Sequence, residues 1–147
     1  VNLSYSEWLL ALCLWREARG EGEAGMRAVG HVIRNRVFAG QGDWITVITA
    51  PLQFTSINPP KSKEGWPKDA QTVRFPQNDD LRWLTATQLA HAIFAGQDED
   101  PTGVALYYAN LANIDPGGWF ERTILGNPAK YPQSAVIGRH SFFRELS

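Results

Sequence analysis

From Trp8 to Trp15 the chain reads WLLALCLW, a run with no charge and no carboxamide or hydroxyl group. A membrane span needs about 18 or more apolar residues, so this run is too short to be one. A helix of such residues is apolar on every side and has to be surrounded by the rest of the fold. Just before it, Ser4 and Glu7 stand in the S-x-x-E spacing of a capping box, in which each side chain satisfies the other residue's backbone amide and a helix begins. The sequence therefore predicts a central helix from Tyr5 to about Ala18, broken by Gly20 and Gly22. With 147 residues in all, a domain of this size buries roughly 68–70% of the surface its unfolded chain exposes, enough for a core without disulfides or a structural metal. The expectation is one domain over residues 1–147. The lone cysteine, Cys13, lies inside the apolar run and has no partner for an intramolecular bridge.

Met26, Val29, Ile33 and Val37 recur at helical spacing between Glu23 and Ala39, with Arg27, Arg34 and Arg36 as polar positions between them. That is a second helix. Asp43 caps a short third one through Trp44 to Ile48, and Pro51 stops it. Five of the nine prolines then fall between Pro51 and Pro76 and the period is lost; an excursion this long in a small domain reads as a binding loop or lid. Helical pattern returns from Trp83 to Phe94 and ends at Gly96. Asp100 to Gly103 read as a turn, followed by a short strand or buried extended segment from Val104 to Tyr108. A helical turn around Trp119 to Leu125 and a closing segment from Ile137 to Phe143 complete the chain. The fold class is mainly α, with a long proline-rich loop and little or no sheet.

Lys and Arg number 14 against 15 Asp and Glu, a net charge of −1. Nothing here tracks phosphates, so nucleic acid and anionic membrane surfaces are not expected partners. The chain carries no signal-peptide pattern, and no route of export is read from it. His31, His91 and His140 fall in no two-ligand spacing such as H-E-x-x-H, so neither a metal nor another cofactor is expected. His31 and His91 read as polar positions on helices. The acidic turn Asp98, Glu99, Asp100 lacks the spaced ligands of a calcium loop and reads as solvated.

Glu17, Glu21 and Glu23 are the cluster with chemical potential. Glu17 falls in the last turn of the apolar helix, where low solvation and the negative end of the macrodipole favour the protonated acid. Glu21 and Glu23 open the next helix, whose free amides favour the carboxylate. A protonated carboxyl beside ionised ones suits cleavage of a glycosidic bond, which needs an acid for the leaving oxygen and negative charge near an oxocarbenium-like centre. Glutamates at a helix junction are more often caps and solvated charges, so the cluster alone does not decide.

The run EARGEGEAGMRAVGHVIRNRV, residues 17–37, resembles the signature of the SleB-type cell wall hydrolases, a family named for spore cortex-lytic enzymes and found also among phage endolysins. QF at 53–54, GQDEDPTGVALYYAN at 96–110 and IGRHSFF at 137–143 follow in the family's order and spacing. The resemblance weakens between Thr55 and Arg82, where this chain carries its own proline-rich insertion. It implies a lysozyme-like, mostly helical domain that cleaves peptidoglycan glycan strands at the bacterial cell wall, on its periplasmic or extracellular side, with Glu17 as the catalytic acid. A monomer is expected.

Glu21, Phe54, Tyr107, Tyr108, Asn110 and His140 are the candidate substrate-contacting residues. Glu21 is read as holding the turn that Gly20 allows, rather than as a second catalyst. Flat aromatic faces pack on sugar rings, which adds Trp66 and Trp119 to the candidate wall. Tyr107 and Tyr108 are adjacent, so in an extended segment they point to opposite faces; Tyr108 is preferred for the cleft. Asn35 and Arg36 match the family's N-R pair and are read as structural.

With Glu17 the only carboxyl group holding a catalytic claim, the expected reaction is that of a lytic transglycosylase. The acid protonates the leaving oxygen, and the C6 hydroxyl of the same MurNAc then attacks its own anomeric carbon to give a 1,6-anhydro sugar. Hydrolytic muramidase, metal-dependent amidase and non-catalytic wall-binding module are the alternatives.

Overall fold

The computed structural model describes residues 2–50 and 75–147, the side chain of Arg19 aside. Phe54, Trp66 and nearly all of the proline-rich excursion lie outside the described residues. The first helix, α1 (Tyr5–Ala18), begins as its sequence requires. The Ser4 amide donates to Glu7 Oε2 at 2.7 Å and the Glu7 amide to Ser4 Oγ at 3.3 Å. Every residue from Leu9 to Trp15 is buried. Trp8 stands outside and stacks on Tyr5 with ring centroids 6.5 Å apart.

Among the described residues three helices surround α1: α2 (Gly22–Phe38), α3 (Trp44–Ile48) and α4 (Leu81–Phe94). Asp43 caps α3 by accepting from the Thr46 amide at 2.8 Å. The start of α4 lies two residues before Trp83, because Asp80 caps it through the amides of Arg82 and Trp83. α1 and α4 are fastened at both ends. The Trp15 indole N–H donates to Asp80 Oδ2 at 3.2 Å, and His91 Nδ1 lies 2.8 Å from Glu7 Oε1. The two helices therefore run antiparallel, with the Glu17 end of α1 beside the start of α4.

The second layer is a small antiparallel sheet of β1 (Tyr107–Ala109), β2 (Gln133–Ile137) and β3 (His140–Phe143) in the order β1-β3-β2. Tyr107 pairs with Phe143, Tyr108 with Phe142, and Ile137 with His140. Its inner face packs on α2 through Ala28, Val32, Ala105 and Phe142. The result is the expected mainly helical class with one small sheet.

Three local expectations are corrected. First, pairing in β1 begins only at Tyr107, because Asp100 folds the preceding residues into a loop. Its carboxylate accepts from the Thr102 amide at 2.7 Å and the Val104 amide at 3.2 Å, and Val104 sits at φ 64°, a left-handed conformation that is strained for a β-branched residue. Second, the acidic turn is not simply solvated. Asp98 accepts from Arg27 Nε at 3.1 Å and lies 2.7 Å from His31 Nε2, while Asp100 accepts from Asn35 Nδ2 at 3.0 Å. His31, read as an ordinary polar helix position, is thus fully enclosed and has its partner, Asp98, 67 residues away. Third, the reversal after α1 is a 3₁₀ turn, Arg19–Glu21, and its left-handed residue is Gly22 at φ 73°, not Gly20. Arg36, read as structural, is buried, with Nε donating to the Leu106 carbonyl at 2.7 Å. Near the C-terminus, the helical turn expected around Trp119 is a π-helix, Phe120–Leu125.

Candidate active site

Glu17 occupies the last turn of α1, half-buried. Its charge acts on two neighbours. The Cys13 thiol, one turn earlier on α1, is pushed well above the usual thiol range by burial first and by Glu17 second. The Tyr108 phenol is likewise held far above its ordinary value by burial and then by the Glu17 carboxylate. It remains a neutral hydroxyl at any working pH, able to donate a hydrogen bond. Beside Glu17, the Arg16 guanidinium lies over the Phe75 ring, 5.0 Å from its centroid.

Alternation along β1 decides which tyrosine faces α1. Tyr108 stacks on Phe142 at 5.6 Å and meets His140 edge-on at 5.5 Å. Tyr107 turns the other way, against Tyr131 at 5.6 Å and Trp119 at 5.9 Å, with burial raising its pKa. The structure therefore puts Tyr108, whose phenol feels the Glu17 charge, beside His140 on one side of the sheet, with Tyr107 and Trp119 on the other. Asn110 acts locally, where its Oδ1 accepts from the Ala112 amide at 3.1 Å and caps a 3₁₀ turn, Leu111–Asn113.

Glu21 crosses to the hairpin between β2 and β3. Ile137 and His140 are paired there, so the loop is the two residues Gly138 and Arg139, with Gly138 at φ 60°. Glycine at the first central position is what a tight II′ hairpin turn demands. A Cβ on Gly138 would lie 2.8 Å from Glu21 Oε2. Gly138 is the residue that sequence reasoning missed. Its signal was present in I-G-R-H, a glycine opening a two-residue gap between apolar positions, but its partner is more than a hundred residues away in the chain. Asn35 and Arg36 hold the backbone leading into β1, Asn35 by donating to the Ala105 carbonyl at 3.0 Å and Arg36 through Leu106. Among the described residues no group of three His, Cys, Asp or Glu side chains is arranged to hold a metal, and no helix is long and apolar enough to cross a membrane.

A helical body around one apolar helix, with a glutamate at that helix's end and a small sheet packed on α2, is a mainly helical, lysozyme-like arrangement. The chain belongs to the cell wall hydrolase family, whose model matches residues 20–143. Among solved structures it is similar to the catalytic domain of the germination-specific lytic transglycosylase SleB from Bacillus anthracis, with 28% identity and a TM-score of 0.66 over 97% of this chain and 98% of that one. It is similar also to the catalytic domain of the Bacillus cereus SleB protein, with 29% identity and a TM-score of 0.65 over 97% of this chain and 93% of that one. No curated protein sequence gives a significant match.

Proposed function

We propose that this chain cleaves the bond between MurNAc and GlcNAc in peptidoglycan glycan strands, as a lytic transglycosylase acting at the bacterial cell wall, with Glu17 as its acid. The observation that carries the reading is the position of Glu17, at the end of a buried helix and close enough to the Tyr108 phenol for its charge to raise that group's pKa. Family membership and the likeness to SleB catalytic domains support the same chemistry.

Among the described residues several other carboxylates have partners of their own. Glu7 is held by Ser4 and His91, Glu23 by Arg27, Asp98 by Arg27 and His31, and Asp80 by the start of α4. Hydrolysis with two carboxyl groups requires them about 5–5.5 Å or about 6.5–9.5 Å apart across the scissile bond. One carboxyl group suffices for the other route. Glu17 gives its proton to the leaving oxygen and, as a carboxylate, takes the proton of the C6 hydroxyl as that oxygen bonds to C1. The ring closes to a 1,6-anhydro end and no water is consumed. An intramolecular nucleophile has a high effective concentration, and Glu17 itself takes its proton, so the route needs no separate base. The Tyr108 hydroxyl serves as a hydrogen-bond donor, and His140 packs against its ring.

Mass spectrometry of fragments released from purified peptidoglycan tests this. Anhydro products are one water, about 18 Da, lighter than hydrolytic ones and resist borohydride. Reducible fragments would instead assign a muramidase.

A further inference from the structure

We infer that the outer face of α4 carries a second glycan-binding site, separate from the Glu17 site. A cavity of about 450 Å³ opens there, within the size range of ligand pockets. Trp83, Leu84, Thr87, Gln88 and His91 of α4 line it, together with Leu3 and Asn78. Trp83–Thr87, Leu84–Gln88 and Thr87–His91 are each four apart and Leu84–Thr87 and Gln88–His91 three apart, so the α4 positions form one continuous stripe of the helix surface.

The chemistry of the lining selects the ligand. Trp83 and the two leucines offer apolar area, the flat indole matching the apolar face of a sugar ring. Asn78 and Gln88 offer neutral amides that both donate and accept. Among the described residues no Lys or Arg lines the cavity. The carboxylate beside it, Glu7, is already satisfied by His91 and by the Ser4 amide. With Nδ1 of His91 engaged by Glu7, Nε2 is the ring nitrogen left for a ligand. A neutral N-acetylated hexosamine fits this set, whereas the charged ends of a stem peptide find no counter-ion.

The site lies apart from the reacting centre. His91 is fastened to Glu7, ten residues before Glu17 on the same helix, which is about 15 Å along the axis. At the other end, Asn78 lies between Phe75, stacked on Arg16, and Asp80, bonded to Trp15. The stripe thus starts near the Glu17 end of α1 and leads away from it, so a sugar held at its His91 end is out of reach of the acid. On a polymeric wall a second contact raises the effective concentration of the first.

The choice of a glycan rests on the proposed function, and the test separates the two. Tri-N-acetylchitotriose is titrated into isotopically labelled Glu17→Gln protein and followed by NMR. The expected result is movement of the Trp83 indole signal and of backbone amides from Leu84 to His91. Leu84 and Gln88 are both exposed, and the Leu84→Ala/Gln88→Ala protein, checked for an unchanged signal spread, should bind at that site about threefold to tenfold more weakly. Signals of α4 that stay still at saturating trisaccharide, an unchanged Kd in the double variant, or movement of α4 by a free stem tetrapeptide but not by the sugar would each overturn the site. Because the products are read separately on wild-type protein, an α4 face that binds sugar in a chain giving reducible fragments overturns the transglycosylase reading alone. A silent α4 in a chain giving anhydro products overturns only this one.

Discussion

The Glu21 carboxylate rests against Gly138, so close that a Cβ on the glycine would stand 2.8 Å from Oε2. This contact joins the turn that follows Glu17 to the hairpin that delivers His140. Gly138→Ala adds a clash to a left-handed backbone angle, which costs about 1–2 kcal/mol in a residue with a Cβ. We expect the melting temperature to fall by several degrees and the rate of wall clearance to fall further, since both sides of the site are tied through this point. A variant as stable and as active as wild type would show that the contact positions nothing.

Tyr108→Phe removes only a hydroxyl from a ring that stays packed on Phe142 and His140. If that hydroxyl donates to the reacting groups beside Glu17, activity should fall about tenfold, the equivalent of about 1.4 kcal/mol, with little change in melting. Both quantities are measured on one preparation. A drop in melting temperature with activity kept would make Tyr108 a core residue only.

Asp100 gives a pH-dependent prediction. Burial pulls its carboxyl upward, but the hydrogen bonds from Thr102 and Asn35 outweigh this and leave it below the ordinary value. A depressed native pKa means that ionised Asp100 stabilises the fold above its unfolded pKa of about 3.9, and that this contribution fades as pH drops through the lower native value. Asp100→Asn should therefore be less stable than wild type at pH 7, with the gap closing below about pH 4. Denaturant melts at both pH values test this. A gap that does not change with pH would remove Asp100 from the acid transition.

Local signals wrote the helices. The Ser4–Glu7 box, the Asp43 cap and the apolar period of α2 act within a few residues, and each appears in the fold where the sequence puts it. The same locality made Glu17 legible as the end of a buried helix. What was hidden depends on partners far along the chain. Nothing near His31 announces Asp98, nothing near Arg36 announces the Leu106 carbonyl, and nothing near Glu21 announces Gly138. The acidic turn looked solvated because its partners, Arg27, His31 and Asn35, sit on α2, some seventy residues earlier. Adjacent tyrosines had to face opposite ways, but only the pairing of β1 with β3 fixes Tyr108 as the one beside His140.

Glu17→Gln tests the account most directly. The amide keeps the shape and hydrogen-bonding reach of the acid and lacks its proton, and positioned acid catalysis contributes roughly 10²–10⁴-fold. Release of soluble fragments from purified peptidoglycan should fall by at least that factor, with an unchanged melting temperature. A Glu17→Gln protein that clears walls at near wild-type rate would contradict the assignment of Glu17 as the acid.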